Sequence, residues 1–153
     1  MPGEEETGAG IGRLAEFDFG GSLVRTWGDG TGLNAPWGLA FAPGNFGALS
    51  NHLLVSNFGD GTIAALDPAS GEFADFVRDD HGDPIAIEGI WGLQFGNGAS
   101  LGEANRLYFA AGPEDETAGL FGHLAVVPEP STHALLALGA LSLAIGTRRR
   151  RQR

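Results

Sequence analysis

An internal repeat limits what this chain can fold into more than any other feature of its sequence. The run Trp37-Gly38-Leu39-Ala40-Phe41 recurs as Trp91-Gly92-Leu93-Gln94-Phe95, 54 residues later. Without a gap, seven of the 17 residues from 37 to 53 are identical to the residues 54 positions later. Two unrelated sequences of this length share about one identical position. Repeats of this length fold as copies of one unit stacked side by side, each covering the apolar face of its neighbour.

Each unit has the pattern of four short strands separated by turns. The strands predicted for the complete unit span residues 37–42, 51–56, 62–67 and 72–78. The breaks between them are rich in Pro, Gly, Asn and Asp, which favour tight turns. Residues 14–27 echo the last two strands of a preceding unit, and residues 90–125 supply three strands of a following one. The sequence therefore predicts an all-β fold, a partial β-propeller of about two and a half four-stranded blades, followed by a single C-terminal hydrophobic helix.

That helix is predicted from the last 27 residues, which have the composition of a membrane-targeting signal. A polar motif is followed by an uncharged apolar run over 133–147 and then by arginines. Residues 131–147 reach the lower limit of about 17 for a bilayer span, and flanking arginines keep their end cytoplasmic. The alternative is an amphipathic or buried helix. The motif residues are Val127, Pro128, Glu129 and Pro130, and the membrane stop consists of Arg148, Arg149, Arg150, Arg151 and Arg153.

The order of motif, apolar run and arginines resembles the PEP-CTERM sorting signal of Gram-negative bacteria. That resemblance implies export by the general secretory route, recognition by an exosortase-type membrane enzyme and removal of the tail. It also implies transit through the inner membrane to the cell surface or the medium, in a setting of exopolysaccharide and biofilm. Residues 33–124 in addition resemble an uncharacterised family of secreted, NHL-like β-propeller proteins. The repeated Trp-Gly-Leu runs and the segment Leu54-Val-Ser-Asn-Phe-Gly-Asp-Gly-Thr62 carry this second resemblance, which implies no particular activity.

The beginning of the chain differs from its end. Residues 1–13 are acidic and glycine-rich, without the basic and apolar stretches of a secretory signal peptide, and we predict them to be disordered. An export tail without an export signal, and fewer blades than the four that a closed propeller needs, indicate the C-terminal part of a longer protein. The predicted division is therefore 1–13, propeller repeats over 14–126 and a sorting tail over 127–153.

Composition excludes some classes of function. The chain has no cysteine, which rules out a disulfide scaffold or a thiolate metal site. All nineteen acidic residues but only four arginines lie in residues 1–147, a net charge of −15. Such a surface repels phosphate groups, so nucleic acid is excluded as a partner.

The densest polar cluster is a candidate cation site. Asp79, Asp80 and Asp83, with His81 among them, offer the carboxylate and imidazole ligands that divalent cations use. The alternative is a solvated connector between blades. Gly-Asp-Gly-Thr occurs at 28–31 and 59–62, and its single carboxylate between glycines favours a tight turn over a calcium loop.

No nucleophile elbow or zinc-protease motif is present. Asn34, Asn57 and Glu88 lie near predicted strand ends and are candidates for a metal-dependent hydrolase or lactonase of the gluconolactonase-like propeller type. The alternative is that they support loop backbone. Trp37 and Trp91 occupy the same place in each repeat, which favours packing between blades over a sugar-binding platform.

Taken together, the sequence predicts a non-catalytic binding or interaction propeller of the cell envelope. Its expected partners are the membrane, an exosortase-type sorting enzyme, and exopolysaccharide or a surface protein. No cofactor is expected, with a divalent cation left open. The hydrolase is the alternative function.

Overall fold

The computed structural model of the chain describes residues 6–27 and 32–127. Within these ranges nine β-strands form three antiparallel sheets, which contain two, four and three strands in sequence order. Apart from one 3-10 turn at Gly47–Leu49, these ranges contain no helix. The strands are β1 Leu14–Phe17, β2 Leu23–Trp27, β3 Pro36–Phe41, β4 Leu53–Asn57, β5 Ile63–Leu66, β6 Phe73–Phe76, β7 Ile90–Phe95, β8 Arg106–Ala111 and β9 Leu120–Ala125. The predicted all-β fold and its division into two, four and three strands are confirmed.

The repeat in the sequence is also a repeat in strand pairing. In β3–β4 Leu39 pairs with Val55, and in β7–β8 Leu93 pairs with Phe109. Leu93 and Phe109 each lie 54 residues after the corresponding residue of the first pair. Both pairs also contain a register irregularity immediately before that point. Equivalent residues of the two units therefore occupy equivalent positions in their sheets.

Aspartate side chains close several of the turns between strands. Between β5 and β6, Asp67 Oδ1 accepts hydrogen bonds from the backbone N–H groups of Ala69 at 2.9 Å and Ser70 at 2.8 Å. Gly71 completes this turn at φ +77°, a conformation that glycine adopts without steric cost. The prediction of turns at Asp-rich and Gly-rich breaks holds here for that reason.

The larger hydrophobic core lies between the second and third sheets. The second sheet contributes mostly small side chains from β3 and β5, and the third contributes larger ones from β7 and β8. Successive side chains of a strand point to opposite faces of its sheet, so Leu54 faces this core and Val55 faces the opposite side of the second sheet. The buried members of the larger core are Ala40, Ala42, Phe46, Leu54, Ile63, Ala65, Val77, Ile90, Leu93, Leu107, Phe109 and Ala111.

A second, smaller core lies on the opposite face of the β3–β6 sheet. Its buried residues are Leu33, Val55, Ala64 and Leu66, and Leu14 of β1 packs against them. All four residues of β5 are therefore buried, two in each core. The second sheet lies between the two cores, because each of its faces packs in one of them.

The edge strands β3 and β7 approach each other closely where the second and third sheets meet. A Cβ atom on Gly38 would overlap the backbone of Trp91, so only glycine fits between the strands. The buried Ser56 hydroxyl donates to the Trp91 carbonyl oxygen at 2.6 Å and accepts from the Gly38 N–H at 2.7 Å. One side chain thus ties the two sheets together.

The two repeat tryptophans do not share one environment. Trp91 is half-buried and its ring lies against Gly112. Trp37 is 53% exposed, with its ring centroid 6.0 Å from that of Phe58. The prediction that both pack between units is wrong for Trp37, because its face of β3 is left uncovered.

The described part of the N-terminal segment lies beside the loop before β3. The Gly10 N–H donates to the Leu33 carbonyl at 2.8 Å, and the Ala35 N–H donates to the Ile11 carbonyl at 2.9 Å. Residues 6–13 therefore pair with the loop before β3, whose backbone groups need hydrogen-bond partners, and disorder of residues 1–13 stays a prediction. The predicted C-terminal helix lies outside the described residues.

Candidate functional site

The candidate cation ligands Asp79, Asp80 and Asp83 lie in the turn after β6. Asp79 Oδ1 accepts from the backbone N–H groups of Asp83 and His81, each at 2.9 Å. The hydrogen bond from Asp83 is the main reason that the pKa of Asp79 lies below its ordinary value. In residues 6–27 and 32–127 no three His, Cys, Asp or Glu side chains are grouped to hold a metal ion. Cation binding at this turn stays a prediction.

A neighbouring carboxylate holds the end of β6. Asp75 Oδ1 accepts from Arg78 Nη2 at 2.7 Å. This hydrogen bond lowers the pKa of Asp75 and raises that of Arg78. Both side chains of the pair are exposed, so it stabilises the local turn and contributes little to the stability of the core.

The candidate catalytic residues are used to connect loops. Asn57 Oδ1 accepts from the Asn34 backbone N–H at 3.0 Å, and Asn34 Nδ2 donates to Asp60 Oδ2 at 2.9 Å. Glu88 Oε1 accepts from the Glu114 backbone N–H at 3.0 Å. Asn34 and Asn57 are brought together and buried, while Glu88 fixes a loop of the third sheet. Their hydrogen bonds match the loop-supporting alternative.

Asp60 belongs to the second Gly-Asp-Gly-Thr sequence. Its Oδ1 accepts from the Thr62 N–H at 3.0 Å and the Thr62 hydroxyl at 2.6 Å, and Gly61 has φ +76°. The predicted turn at 59–62 is confirmed. The copy at 28–31 lies outside the described residues.

The outer face of the β7–β9 sheet carries an exposed polar and aromatic surface. Gln94, Tyr108 and His123 pair in one row across the three strands, so they share this face. The rings of Tyr108 and Phe121 are stacked, 5.9 Å between centroids and 13° between planes. Arg106 Nη1 lies 2.7 Å from His123 Nε2. We call these five residues the aromatic face.

The repeat itself gives the signal for the aromatic face, which the sequence analysis missed. At the equivalent positions of the second sheet stand Ala40 and Leu54, which are buried against the third sheet. In the third sheet these become Gln94 and Tyr108. Replacement of small apolar residues by polar and aromatic ones indicates a face that meets water or a polar partner.

The sorting tail begins at the surface of this same sheet. A cleft of about 760 Å³ is lined by residues that include Phe46, Val77, His81 and Leu124. It extends to Val127, the first residue of the sorting motif, which is 73% exposed. The motif therefore starts at an accessible point on the body.

The remaining tail predictions concern residues beyond 127. Across the described residues, no helix has the length and apolar character to cross a membrane. The remaining motif and stop residues lie outside the described residues, namely Pro128, Glu129, Pro130, Arg148, Arg149, Arg150, Arg151 and Arg153.

Three uncharacterised proteins of Acanthamoeba polyphaga mimivirus are similar to this chain. Two of them are 33% and 35% identical over 124 and 120 residues, which is 81% and 78% of this chain. A third is 34% identical over 89 residues, 58% of this chain and 17% of the relative. The chain spans 30% of the length of each of the first two. No solved structure matches the chain.

A family model matches the C-terminal end. It describes the PEP-CTERM protein-sorting motif and covers residues 126–151, from Val126 into the arginine cluster. The match supports export, transit through the membrane and handling by an exosortase-type sorting system. The chain carries a PEP-CTERM sorting motif at its C-terminal end.

Proposed function

We propose that this protein is a non-catalytic binding module of the cell envelope, delivered to the cell surface or the medium by an exosortase-type enzyme. The body over 14–126 does the binding, and the tail over 127–153 holds the protein at the membrane until it is removed. The match of the sorting motif to residues 126–151 carries the delivery part of this proposal.

The sheet arrangement supports an NHL-like propeller for the body. Each sheet is a meander in which consecutive strands pair, as in a propeller blade. The first strands of the second and third sheets, β3 and β7, lie side by side at the Gly38–Trp91 contact. Successive units stack face to face through the larger core, as blades do.

Sorting is tested by expressing the full chain, behind a cleavable signal peptide, in a bacterium with an exosortase system and in its exosortase-deficient mutant. We expect a shortened form at the surface or in the medium of the first strain, and an intact membrane-bound form in the second. The matched variant replaces Pro128, Glu129 and Pro130 by alanine and should stay intact in both strains. The same size and location in both strains would contradict the proposal.

We infer that the aromatic face is the binding surface and that its ligand is a neutral polysaccharide. Stacked rings of Tyr108 and Phe121 suit the flat faces of sugars, and Gln94, His123 and Arg106 supply hydrogen-bonding groups beside them. The body carries a strong negative charge, which disfavours acidic polymers. The hydrogen bonds of Asn34, Asn57 and Glu88 favour this role over the metal-dependent hydrolase.

Replacing Phe121 by alanine tests this surface. Because Phe121 is 74% exposed, stability should not change, while loss of one stacking ring should weaken binding about three- to tenfold. The measurement is affinity electrophoresis in soluble neutral glucans, with alginate as the acidic polymer. Phe19→Ala is the control, since Phe19 is fully exposed in the turn between β1 and β2. Equal retardation of both variants, or tighter binding to alginate, would refute the assignment.

A further inference from the structure

Strand β3 presents a row of large apolar side chains to solvent. Trp37, Leu39 and Phe41 alternate along the strand and are 53%, 52% and 57% exposed. Large apolar patches on a protein surface mark contact sites. We call these three residues the β3 stripe.

The second copy of the repeat shows what such a stripe is built to contact. Leu93 of β7, the equivalent of Leu39, is only 8% exposed, and Phe95, the equivalent of Phe41, is half-buried. Both pack in the larger core with Ala40, Ala42 and Leu54 of the preceding sheet. The same sequence is therefore covered in one unit and bare in the other.

The sheet that precedes the β3 stripe covers only part of the same face. Leu14 of β1 packs against the smaller core, whose members include Val55 of β4 and Leu66 of β5. Within the part of the chain that the structure describes, β1 pairs with β2 alone, whereas β5, its counterpart in the complete unit, pairs with β4 as well. Among the described residues, the open edge of β1 and the β3 stripe are thus both without the two strands that a complete unit would place there.

We propose that the β1 edge and the β3 stripe form one docking site for a β-hairpin of this same repeat. Its second strand adds to β1 as β4 adds to β5, through backbone hydrogen bonds. Its inward side chains are small and apolar, as Ala40, Ala42 and Leu54 are, and they cover the β3 stripe. This site is distinct from the aromatic face and does not depend on the proposed ligand.

A further repeat, and not a second copy of this chain, is the occupant. The hairpin β3–β4 already uses its small apolar face, since Ala42 and Leu54 are fully buried against the third sheet. The outer face of the third sheet offers Gln94 and Tyr108 at the equivalent positions, which do not match an apolar row. Two of the similar proteins extend well beyond the region aligned with this chain, which covers 30% of each, so relatives of this kind have room for more repeats.

The test adds such a hairpin to the full chain. A copy of residues 36–57 is fused in front of the chain through a flexible linker, and hydrogen exchange is followed in β1 and β3. We expect protection of β1 amides to rise about tenfold or more and the melting temperature to increase. With phenylalanine at positions 27 and 91 and at position 37 of the added copy, we also expect the fluorescence of the remaining Trp37 to become less accessible to acrylamide. The control fusion carries Ala40→Glu and Leu54→Glu in the added copy only. Equal protection in both fusions, or a lower melting temperature than the unfused chain, overturns the proposal.

Two further measurements separate this occupant from others. If the unfused chain dimerises in sedimentation and Leu39→Asp makes it monomeric, a second copy covers the stripe and the proposal fails. If removal of residues 128–153 alone exposes Trp37 to acrylamide, the tail covers the stripe and the proposal also fails. A monomeric chain whose Trp37 is accessible with and without the tail leaves the site open, as the proposal requires.

Discussion

At the scale of single residues, aspartates shape the turns that make short strands possible. Asp67, Asp75 and Asp79 all have pKa values below the ordinary value. For Asp67 the main cause is the hydrogen bond from the Ser70 N–H, and for Asp75 it is the hydrogen bond from Arg78. Each carboxylate is held charged because the native turn offers it donors that the unfolded chain does not.

These shifts predict acid sensitivity with a definite sign. A folded pKa below 3.8 means that the unfolded chain binds more protons near this pH. The stabilisation is fully present above about pH 5 and is lost progressively as pH falls through the unfolded and then the folded pKa values. We expect the free energy of unfolding of Asp67→Asn to depend less on pH between about 4 and 2 than that of the parent, measured by urea titration. An unchanged pH dependence would show that this carboxylate is not stabilised by folding.

At the scale of elements, the sequence predicted the turns and strands well, because their signals are local. The turn at 59–62 depends on Asp60 and Gly61, which lie inside it. The order β3 to β6 follows from turn residues at each break. Contacts between sheets carry no such local signal, so the role of Gly38 and Ser56 at the β3–β7 contact was not predicted.

The β3–β7 contact gives a prediction with a matched control. In Gly38→Ala the new methyl group would overlap the Trp91 backbone, and we expect a loss of about 1–3 kcal/mol in the free energy of unfolding. Gly92 is the equivalent glycine in the next unit, and a Cβ there has nothing within 4 Å. Gly92→Ala should change stability by about 0.5 kcal/mol or less. Chemical denaturation measures both, and equal effects would contradict close packing of the two strands.

At the scale of the whole molecule, charge separates the body from its tail. Residues 14–126 hold fifteen acidic residues and three arginines, a net charge of −12, while five arginines end the chain. From these charges we expect the acidic body to stay in water and the arginine cluster to stay on the cytoplasmic side of the membrane during transit. This separation was readable from the sequence because net charge requires no knowledge of contacts, and the match to the sorting motif agrees with it.

The sequence alone determined the β-rich class, the repeated unit and the sorting motif, because turn residues, periodicity and composition act locally or as sums. Only the tertiary structure decided which copy of a repeated residue is covered. Leu39 and Leu93 are identical in type and register, yet one is 52% exposed and the other 8%. The physical reason is that burial depends on what packs against a face, and for Leu93 that partner is a sheet whose strands lie dozens of residues earlier in the chain.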